Sequence, residues 1–280
     1  MDFRNSDGQQ KYDALVALAP DVAIGLDFDG TLSPIVDDPA DARIHPDGPR
    51  VLIDLAAQVR VVVVITGRPA AQVVELGSLD EVADALLEDD RLVVMSQYGN
   101  ERWDSDSREV VSPEPPAGLV AFRDELPGLL ETHDVVDAFV EDKGIALAVH
   151  TRRLPDPQAA FEQLRDVLAE AADRHDLAIE PGRLVVEVRA PGMHKGHAVR
   201  AAVDEHEVAG VLFAGDDLGD LEAFDAVREL GDEGFTTLLV CSGSEEQAAL
   251  VERSDVVVDG PPGVLRLLAS YAADAGRHGG

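Results

Sequence analysis

Val22-Ala-Ile-Gly-Leu-Asp-Phe-Asp-Gly-Thr31 is the segment around which this 280-residue chain is organised. An apolar run breaks abruptly into two carboxylates, Asp27 and Asp29, followed by a glycine and a hydroxyl. This pattern predicts a buried strand that delivers both acids to its carboxyl end, the edge where open α/β sheets bind ligands. Alternate strand residues point to opposite faces, so both acids can serve one site only if the chain bends, which Gly30 permits. The alternative is an acidic loop without function, because the chain has 55 Asp and Glu residues.

The composition disfavours several classes of protein. A net charge of −32 repels the phosphates of nucleic acids and anionic lipids, so we expect neither as a partner. No apolar stretch approaches the roughly 20 residues of a membrane span, and the polar start, Met1–Gln10, lacks a hydrophobic signal region. The single cysteine, Cys241, cannot form an internal disulfide. The sequence therefore predicts a soluble, cytoplasmic protein, and we expect a monomer.

A second polar strand end follows the first. A helical pattern separates the opening strand from a β-branched run at Val61–Ile65, which is the strand-helix-strand unit of a parallel sheet. This run ends in Thr66, whose hydroxyl can donate to a phosphoryl oxygen, although a threonine in such a place is more often only a helix cap. A third apolar run, Leu92–Met95, precedes a polar segment, 97–102, whose composition predicts a turn.

The pattern changes after residue 111. Proline-rich sequence leads into a helix, a hairpin, a second helix and a second hairpin, the order of an α+β unit rather than of a parallel sheet. We therefore predict that 1–111 and 191–280 form one discontinuous α/β core and that 112–190 is an inserted α+β domain. Within the second part of the core, Lys195 begins a helix and an apolar strand ends in Gly215-Asp216-Asp217-Leu218-Gly219-Asp220.

The polar strand ends together predict a metal-assisted reaction. Carboxylates crowded at one sheet edge repel unless a hard divalent cation lies among them, and an all-oxygen ligand set favours magnesium. Calcium in an EF-hand loop is disfavoured, because Leu32 stands where that loop needs glycine. A carboxylate beside the metal can attack a phosphoryl group, and a second acid can protonate the leaving oxygen and then activate water. The residues that predict this chemistry are Asp27, Asp29, Thr66, Lys195, Asp216, Asp217 and Asp220.

These motifs, in this order, resemble those of the haloacid dehalogenase-like phosphatases. The resemblance implies a Rossmann-like core with a parallel sheet and an inserted αββαββ cap of type IIB. It implies that Asp27 is the nucleophile, that Asp29 is the acid/base, and that Thr66 and Lys195 anchor phosphate and charge. It also implies that Mg²⁺ is bound by Asp27, Asp216, Asp220 and the backbone carbonyl of Asp29, with Thr31 and Asp217 in support.

Within that superfamily, the sequence is similar to the trehalose-6-phosphate phosphatases. The similarity rests on Tyr98-Gly99-Asn100-Glu101 and on three segments of the insert, Glu141-Asp-Lys143, His150-Thr-Arg152 and Glu187-Val-Arg189. Carboxylates and amides of this kind can bind sugar hydroxyls, but the charged residues of the insert can instead form an exposed ion-pair ladder. The substrate-binding residues implied by the resemblance are Gly67, Arg68, Asn100, Glu101, Glu141, Lys143, His150, Arg152, Glu187 and Arg189.

The resemblance implies a Mg²⁺-dependent phosphatase of trehalose biosynthesis. It would hydrolyse trehalose 6-phosphate to trehalose and phosphate through an aspartyl phosphate, with a functional link to a trehalose-phosphate synthase. Three alternatives stay open: a phosphatase of another sugar phosphate, such as sucrose-phosphate or a mannosyl phosphate, a phosphomutase, and a non-catalytic sugar-phosphate sensor.

Overall fold

The computed structural model describes residues 2–3, 6–36, 38–86, 91–243 and 248–278. The chain divides into two compact units, Met1–Ser112 with His194–Gly280, and Pro113–Met193. Among the described residues, no helix is long and apolar enough to cross a membrane.

The described residues form twelve strands and ten α-helices. The strands are β1 (Asp2–Phe3), β2 (Val22–Leu26), β3 (Val61–Ile65), β4 (Leu92–Ser96), β5 (Glu101–Asp104), β6 (Phe139–Asp142), β7 (Ala146–His150), β8 (Ala178–Gly182), β9 (Val185–Arg189), β10 (Gly210–Gly215), β11 (Thr236–Gly243) and β12 (Val256–Asp259). The helices are α1 (Ser6–Ala17), α2 (Gly48–Ala56), α3 (Ala70–Leu76), α4 (Leu79–Ala85), α5 (Ala117–Thr132), α6 (Pro157–Arg174), α7 (Lys195–His206), α8 (Leu221–Asp232), α9 (Ala248–Arg253) and α10 (Gly260–His278).

The first unit is built on an eight-stranded sheet in the order β1-β12-β11-β10-β2-β3-β4-β5. The strands from β12 to β4 run parallel, and the edge strands β1 and β5 pair antiparallel. Apolar residues on both faces of the central strands pack into two separate cores, one of which includes Val62 and Val64 while the other includes Val61 and Val63. Burial on both faces explains why β2 and β3 are continuous apolar runs rather than alternating ones.

The second unit is a four-stranded antiparallel sheet, β6-β7-β9-β8, with two helices. Leu147 and Val149 of β7 and Val186 of β9 share an apolar core with residues of α5 and α6. The opposite face carries the alternate residues, and the strand register places Glu141, Ala148, Glu187 and Glu180 side by side in one row across the sheet. The predicted fold class, a parallel α/β sheet with a separate α+β unit, is confirmed.

One strand differs from the expectation. The sequence predicts a turn over 97–102, and Gln97–Gly99 forms a short helical turn, but β5 begins at Glu101 and pairs with β4 at the sheet edge. Its alternation is short, with Trp103 buried between the polar neighbours Arg102 and Asp104. Turn-forming residues precede this alternation directly, so the composition of 97–102 hides where the strand begins.

Candidate active site

The opening motif bends as the sequence predicts. The backbone N–H of Asp27 donates to Ala214 O at 2.9 Å, which continues the pairing of β2 with β10 to this residue. Beyond it, Gly30 has a φ of +71°. A Cβ at position 30 would lie 2.1 Å from Asp216 Oδ2, so the lack of a side chain lets the loop after β2 approach the acid after β10.

Lys195 lies between two acids that come from different strand ends. Its Nζ donates to Asp27 Oδ1 at 2.6 Å and to Asp220 Oδ1 at 2.7 Å. The side chains of Lys195, Asp27 and Asp220 are 7%, 5% and 0% exposed, so water screens these charges weakly. The first residue of α7 therefore cross-links the ends of β2 and β10.

Asp220 also shapes the loop that follows β10. Its Oδ2 accepts hydrogen bonds from the backbone N–H groups of Asp216, at 2.9 Å, and Asp217, at 3.2 Å. Asp217 Oδ1 accepts the N–H of Gly219 at 2.8 Å, which caps the short helical turn Leu218–Asp220. The acids after β10 thus have separate tasks, because Asp220 holds the loop and Lys195 while Asp217 caps the turn.

The cluster has more negative than positive charge. Burial raises the pKa of Asp27 well above its usual value, and the charges of Asp220 and Asp216 add to this rise while Lys195 opposes it. Burial and the neighbouring acids raise the pKa of Asp216 to about 8. Burial would lower the pKa of Lys195, but the charges of Asp220 and Asp27 outweigh it and raise that pKa. The acids therefore favour a bound proton or a cation.

This donor set fits a magnesium ion. Asp27, Asp216 and Asp220 are buried, and each offers an oxygen atom within 4.8 Å of the others. All of these donors are carboxylate oxygens, the type that hard divalent cations prefer. The fourth predicted contributor is the backbone carbonyl of Asp29, which the family resemblance implies; the carboxylate of Asp29 has a partner of its own.

The Asp29 carboxylate is bound by Arg68. Arg68 Nε donates to Asp29 Oδ2 at 2.6 Å, and Nη2 donates to Oδ1 at 2.7 Å, which is a bidentate pair. The backbone N–H of Arg68 donates to Thr66 Oγ1 at 3.2 Å. The structure therefore brings the acid after β2 and the hydroxyl after β3 together through the residue that follows Gly67.

The remaining predicted residues of the first unit have varied surroundings. Thr31 is fully buried, and its Oγ1 has no hydrogen-bond partner in the described part of the chain. The Glu101 carboxylate accepts hydrogen bonds from Ala70 N at 2.8 Å, Ser112 Oγ at 2.8 Å and Ser96 Oγ at 3.2 Å. It therefore caps α3. Asn100 Nδ2 donates to Gln97 O at 2.9 Å.

The predicted residues of the second unit form ion pairs on the sheet face opposite the helices. Glu187 Oε2 accepts a hydrogen bond from Lys143 Nζ at 2.5 Å, and its Oε1 accepts one from Arg189 Nη1 at 3.2 Å. Arg189 also donates to Glu180 at 2.9 Å. The side chains of Lys143, Glu187 and Arg189 are 13%, 8% and 7% exposed, so this ladder is largely buried rather than exposed. We call Lys143, Glu187, Arg189 and Glu180 the ion-pair row.

The other three predicted residues of this unit are Glu141, His150 and Arg152. His150 Nε2 lies 3.1 Å from Glu141 Oε2, and Arg152 is exposed in the turn after β7. Glu141 lies in line with Glu187 across the sheet, because both are paired with Ala148. Five of the six predicted residues of this unit, all but Arg152, therefore lie on or at the end of one sheet face.

Sequence reasoning missed one contributor to the site and the contacts of a second. Ser242 Oγ, from β11, donates to the Gly30 carbonyl at 2.6 Å and is buried. A polar residue after the apolar run Thr237–Cys241 was the available signal, the same one that identified Thr66. The second is the turn predicted within 97–102, whose contacts were not predicted: the N–H groups of Gln97 and Tyr98 donate to Arg68 O at 3.1 Å and Thr66 O at 3.0 Å. Their left-handed backbone has no clear sequence signal.

The sequence is similar to those of known phosphatases. A family model described as trehalose-phosphatase matches residues 25–83 and 130–256. A probable trehalose-phosphate phosphatase of Sinorhizobium fredii is 33% identical over 225 residues, which cover 78% of this chain and 80% of that protein. Trehalose-phosphate phosphatase B of Arabidopsis thaliana is 29% identical over 228 residues, covering 78% of this chain and 59% of that protein.

The fold is also found among solved structures. The C-terminal domain of the Candida albicans trehalose-6-phosphate phosphatase superposes with a TM-score of 0.71 at 22% identity, covering 95% of each chain. At that identity the likeness concerns the fold. The chain spans most of the Sinorhizobium protein but little more than half of the Arabidopsis protein.

Proposed function

Because the chain belongs to the trehalose-phosphatase family, a family of phosphoric monoester hydrolases, we propose that it hydrolyses trehalose 6-phosphate to trehalose and phosphate. The observation that carries this proposal is the buried contact of Lys195 with Asp27 and Asp220, beside Asp216. A carboxylate held by a lysine among further acids suits nucleophilic attack on a phosphate monoester once the excess negative charge is neutralised.

Magnesium is the proposed source of that neutralisation. Asp27, Asp216 and Asp220, with the backbone carbonyl of Asp29, are the proposed ligands. The bound ion would offset the negative charge of the transferring phosphoryl group as a Lewis acid. The remaining chemistry belongs to the residues of the chain.

In the first step, an Asp27 oxygen forms a bond to phosphorus while the bond from phosphorus to the sugar oxygen breaks. The bonding electron pair passes to that oxygen, which takes the proton of Asp29, so trehalose and an aspartyl phosphate result. Lys195 keeps Asp27 oriented, and Thr66 donates its hydroxyl to a phosphoryl oxygen. In the second step, water gives a proton to Asp29 while its oxygen attacks phosphorus, which releases phosphate and restores Asp27 and the protonated Asp29.

The substrate specificity is proposed to come from the inserted domain, 112–190. Glu187 and Glu141 can accept hydrogen bonds from sugar hydroxyls, while Lys143 and Arg189 can donate to them. Their common sheet face supports this assignment. The other proposed substrate-binding residues are Gly67, Asn100, Glu101, His150 and Arg152.

A panel of phosphate esters tests the proposal. Free phosphate is measured with trehalose 6-phosphate, sucrose 6-phosphate, mannose 6-phosphate and glucose 6-phosphate, each with Mg²⁺ and with EDTA. We expect the highest kcat/KM for trehalose 6-phosphate, with activity that EDTA abolishes and Mg²⁺ restores. Faster release from another ester would overturn the substrate assignment, and binding without release would favour the sensor. A phosphomutase would yield an isomeric sugar phosphate in place of free phosphate.

A further inference from the structure

Arg68 holds the Asp29 carboxylate by itself. Asp29 is 41% exposed, and its two oxygens accept from Arg68 Nε at 2.6 Å and Nη2 at 2.7 Å. In the described residues no other side chain hydrogen bonds to this carboxylate. We propose that Arg68 is a positioning residue that fixes Asp29 in the orientation from which it exchanges protons with the leaving oxygen and with water. This inference rests on the proposed function and reassigns Arg68, which the sequence resemblance makes a substrate-binding residue.

Arg68 is itself fixed from several sides. Its Nη1 donates to Pro39 O, in the loop after β2, at 2.9 Å, and its guanidinium carbon lies 6.0 Å from the centre of the Phe28 ring. The side chain is 12% exposed. A planar guanidinium held along two edges has little freedom to rotate, so it can transmit its position to the carboxylate that it binds.

The backbone of Arg68 is supported by a strained turn. Gln97 and Tyr98 have φ values of 44° and 62°, the left-handed region that costs energy for residues other than glycine. In this conformation Gln97 N donates to Arg68 O at 3.1 Å and Tyr98 N donates to Thr66 O at 3.0 Å. A Cβ at position 67 would lie 2.8 Å from Tyr98 Oη, so a side chain there would have to displace the Tyr98 ring, which packs on the Thr66–Arg68 segment. The strained turn therefore supports, through these two hydrogen bonds, the segment that carries Arg68.

The hydrogen bonds of Arg68 favour positioning over substrate contact. Nε and Nη2 donate to Asp29 and Nη1 donates to Pro39 O, so every guanidinium nitrogen already has an acceptor. A sugar or phosphate could be bound only by the two remaining N–H groups, one on each terminal nitrogen, because Asp29 occupies the bidentate edge of the guanidinium. In the positioning role, by contrast, Arg68 acts through the hydrogen bonds to Asp29 that it already makes. These bonds matter because a small misplacement of a proton donor lowers the rate steeply.

The test compares two leaving groups. The sugar alkoxide of trehalose 6-phosphate needs a proton as it leaves, whereas the nitrophenolate of p-nitrophenyl phosphate does not. We expect Arg68→Ala to slow the first turnover of trehalose 6-phosphate about 10- to 100-fold with KM changed less than about threefold. The first-turnover release of nitrophenolate should stay within about threefold of wild type. Arg68→Lys, which keeps one charge but not the bidentate pair, should give an intermediate rate.

Two further variants separate the competing roles. Arg102→Ala is the matched control, because Arg102 makes an equally bidentate pair with Glu205, at 2.8 Å for each bond, away from the site. It should leave both rates unchanged. In an Asp29→Asn background, Arg68→Ala should lower the rate by less than about twofold, since both changes remove the same function.

Several results would overturn the inference. A rise in KM with unchanged kcat, or losses that multiply in the double variant, would make Arg68 a substrate contact. Equal slowing of both esters with a lowered melting temperature would make it a structural residue only. If the wild type hydrolyses another sugar phosphate instead, the proposed substrate fails, and the same comparison with that ester still decides the role of Arg68.

Discussion

The two units each contain a buried group of charged side chains, and the two groups differ in their balance. In the first unit, Asp27, Asp216 and Asp220 share Lys195, so negative charge exceeds positive charge. In the ion-pair row of the second unit, Glu187 and Glu180 are matched by Lys143 and Arg189. The charges of the ion-pair row neutralise one another in the folded chain. The excess negative charge of the first cluster, by contrast, has to be neutralised by a bound proton or a cation. The difference distinguishes a reaction centre from a group whose charges support one another, and four experiments test it.

The largest expected effect is on activity. Asp27→Asn should lower kcat for trehalose 6-phosphate by at least about 10³-fold, because the amide cannot form the aspartyl phosphate. The same change removes one acid from an overcrowded cluster, so the free energy of unfolding in metal-free buffer should not fall. Urea denaturation followed by the fluorescence of Trp103, the single tryptophan of the chain, measures this in the first unit. Retained turnover would refute the nucleophile assignment.

The second effect concerns the balanced row. Glu187→Gln leaves Lys143 and Arg189 buried without their shared anion, and we expect it to destabilise the second unit by roughly 2–4 kcal/mol. Hydrogen exchange of the β7 and β9 amides measures the loss locally. If exchange in these strands is as slow as in wild type, the row does not contribute to stability as its balance implies.

The third effect is the pH dependence of the metal-free protein. Burial raises the pKa of Asp216 from 3.8 to about 8, so between these values the folded chain holds a proton that the unfolded chain has released. Stability should therefore fall as the pH rises through this window, by up to about 1.4 kcal/mol per pH unit. Urea denaturation in EDTA should show about 2 kcal/mol less dependence between pH 5.5 and 7 for Asp216→Asn. If the free energy of unfolding depends on pH equally in wild type and in Asp216→Asn, the excess negative charge at Asp216 does not cause the pH dependence.

The smallest effect is at the exposed end of the row. The Glu180 side chain is 54% exposed, so its pair with Arg189 is screened by water. Glu180→Gln should cost less than about 1 kcal/mol by hydrogen exchange of the same amides. It is also the matched control for Glu187→Gln, since both changes remove one carboxylate from Arg189. A cost as large as that of Glu187→Gln would show that burial does not decide the energetics of the row.

The sequence was most informative at the ends of the buried strands. Asp27, Thr66 and Asp216 each follow an apolar run, and parallel strands bring such ends to one edge. Hydrophobic pattern and strand-helix alternation therefore sufficed to predict the parallel sheet and these three strand ends, although Ser242 at the end of β11 was missed. The start of β5 escaped prediction, because its pairing with β4 overrides a turn-like local composition.

Which charged side chains pair with one another was much less predictable. Arg68 and Asp29 are separated by 39 positions, and nothing in either motif indicates that the arginine binds the acid rather than a substrate. The charged residues of the insert posed the same problem, because a sequence with many carboxylates offers each arginine several partners. Only the folded sheet brings Lys143, which follows β6, to Glu187 of β9, whereas Arg189 follows Glu187 by two residues on the same strand and so lies on the same face.

The sequence by itself determined the order of the elements and the chemical type of each strand end, because burial imposes its pattern residue by residue along the chain. The tertiary structure decided which charges neutralise one another: Lys195 with Asp27 and Asp220, Arg68 with Asp29, and Glu187 with Lys143 and Arg189. The physical reason is that electrostatic interactions depend on distance and solvent exposure, which exist only once distant parts of the chain have come together.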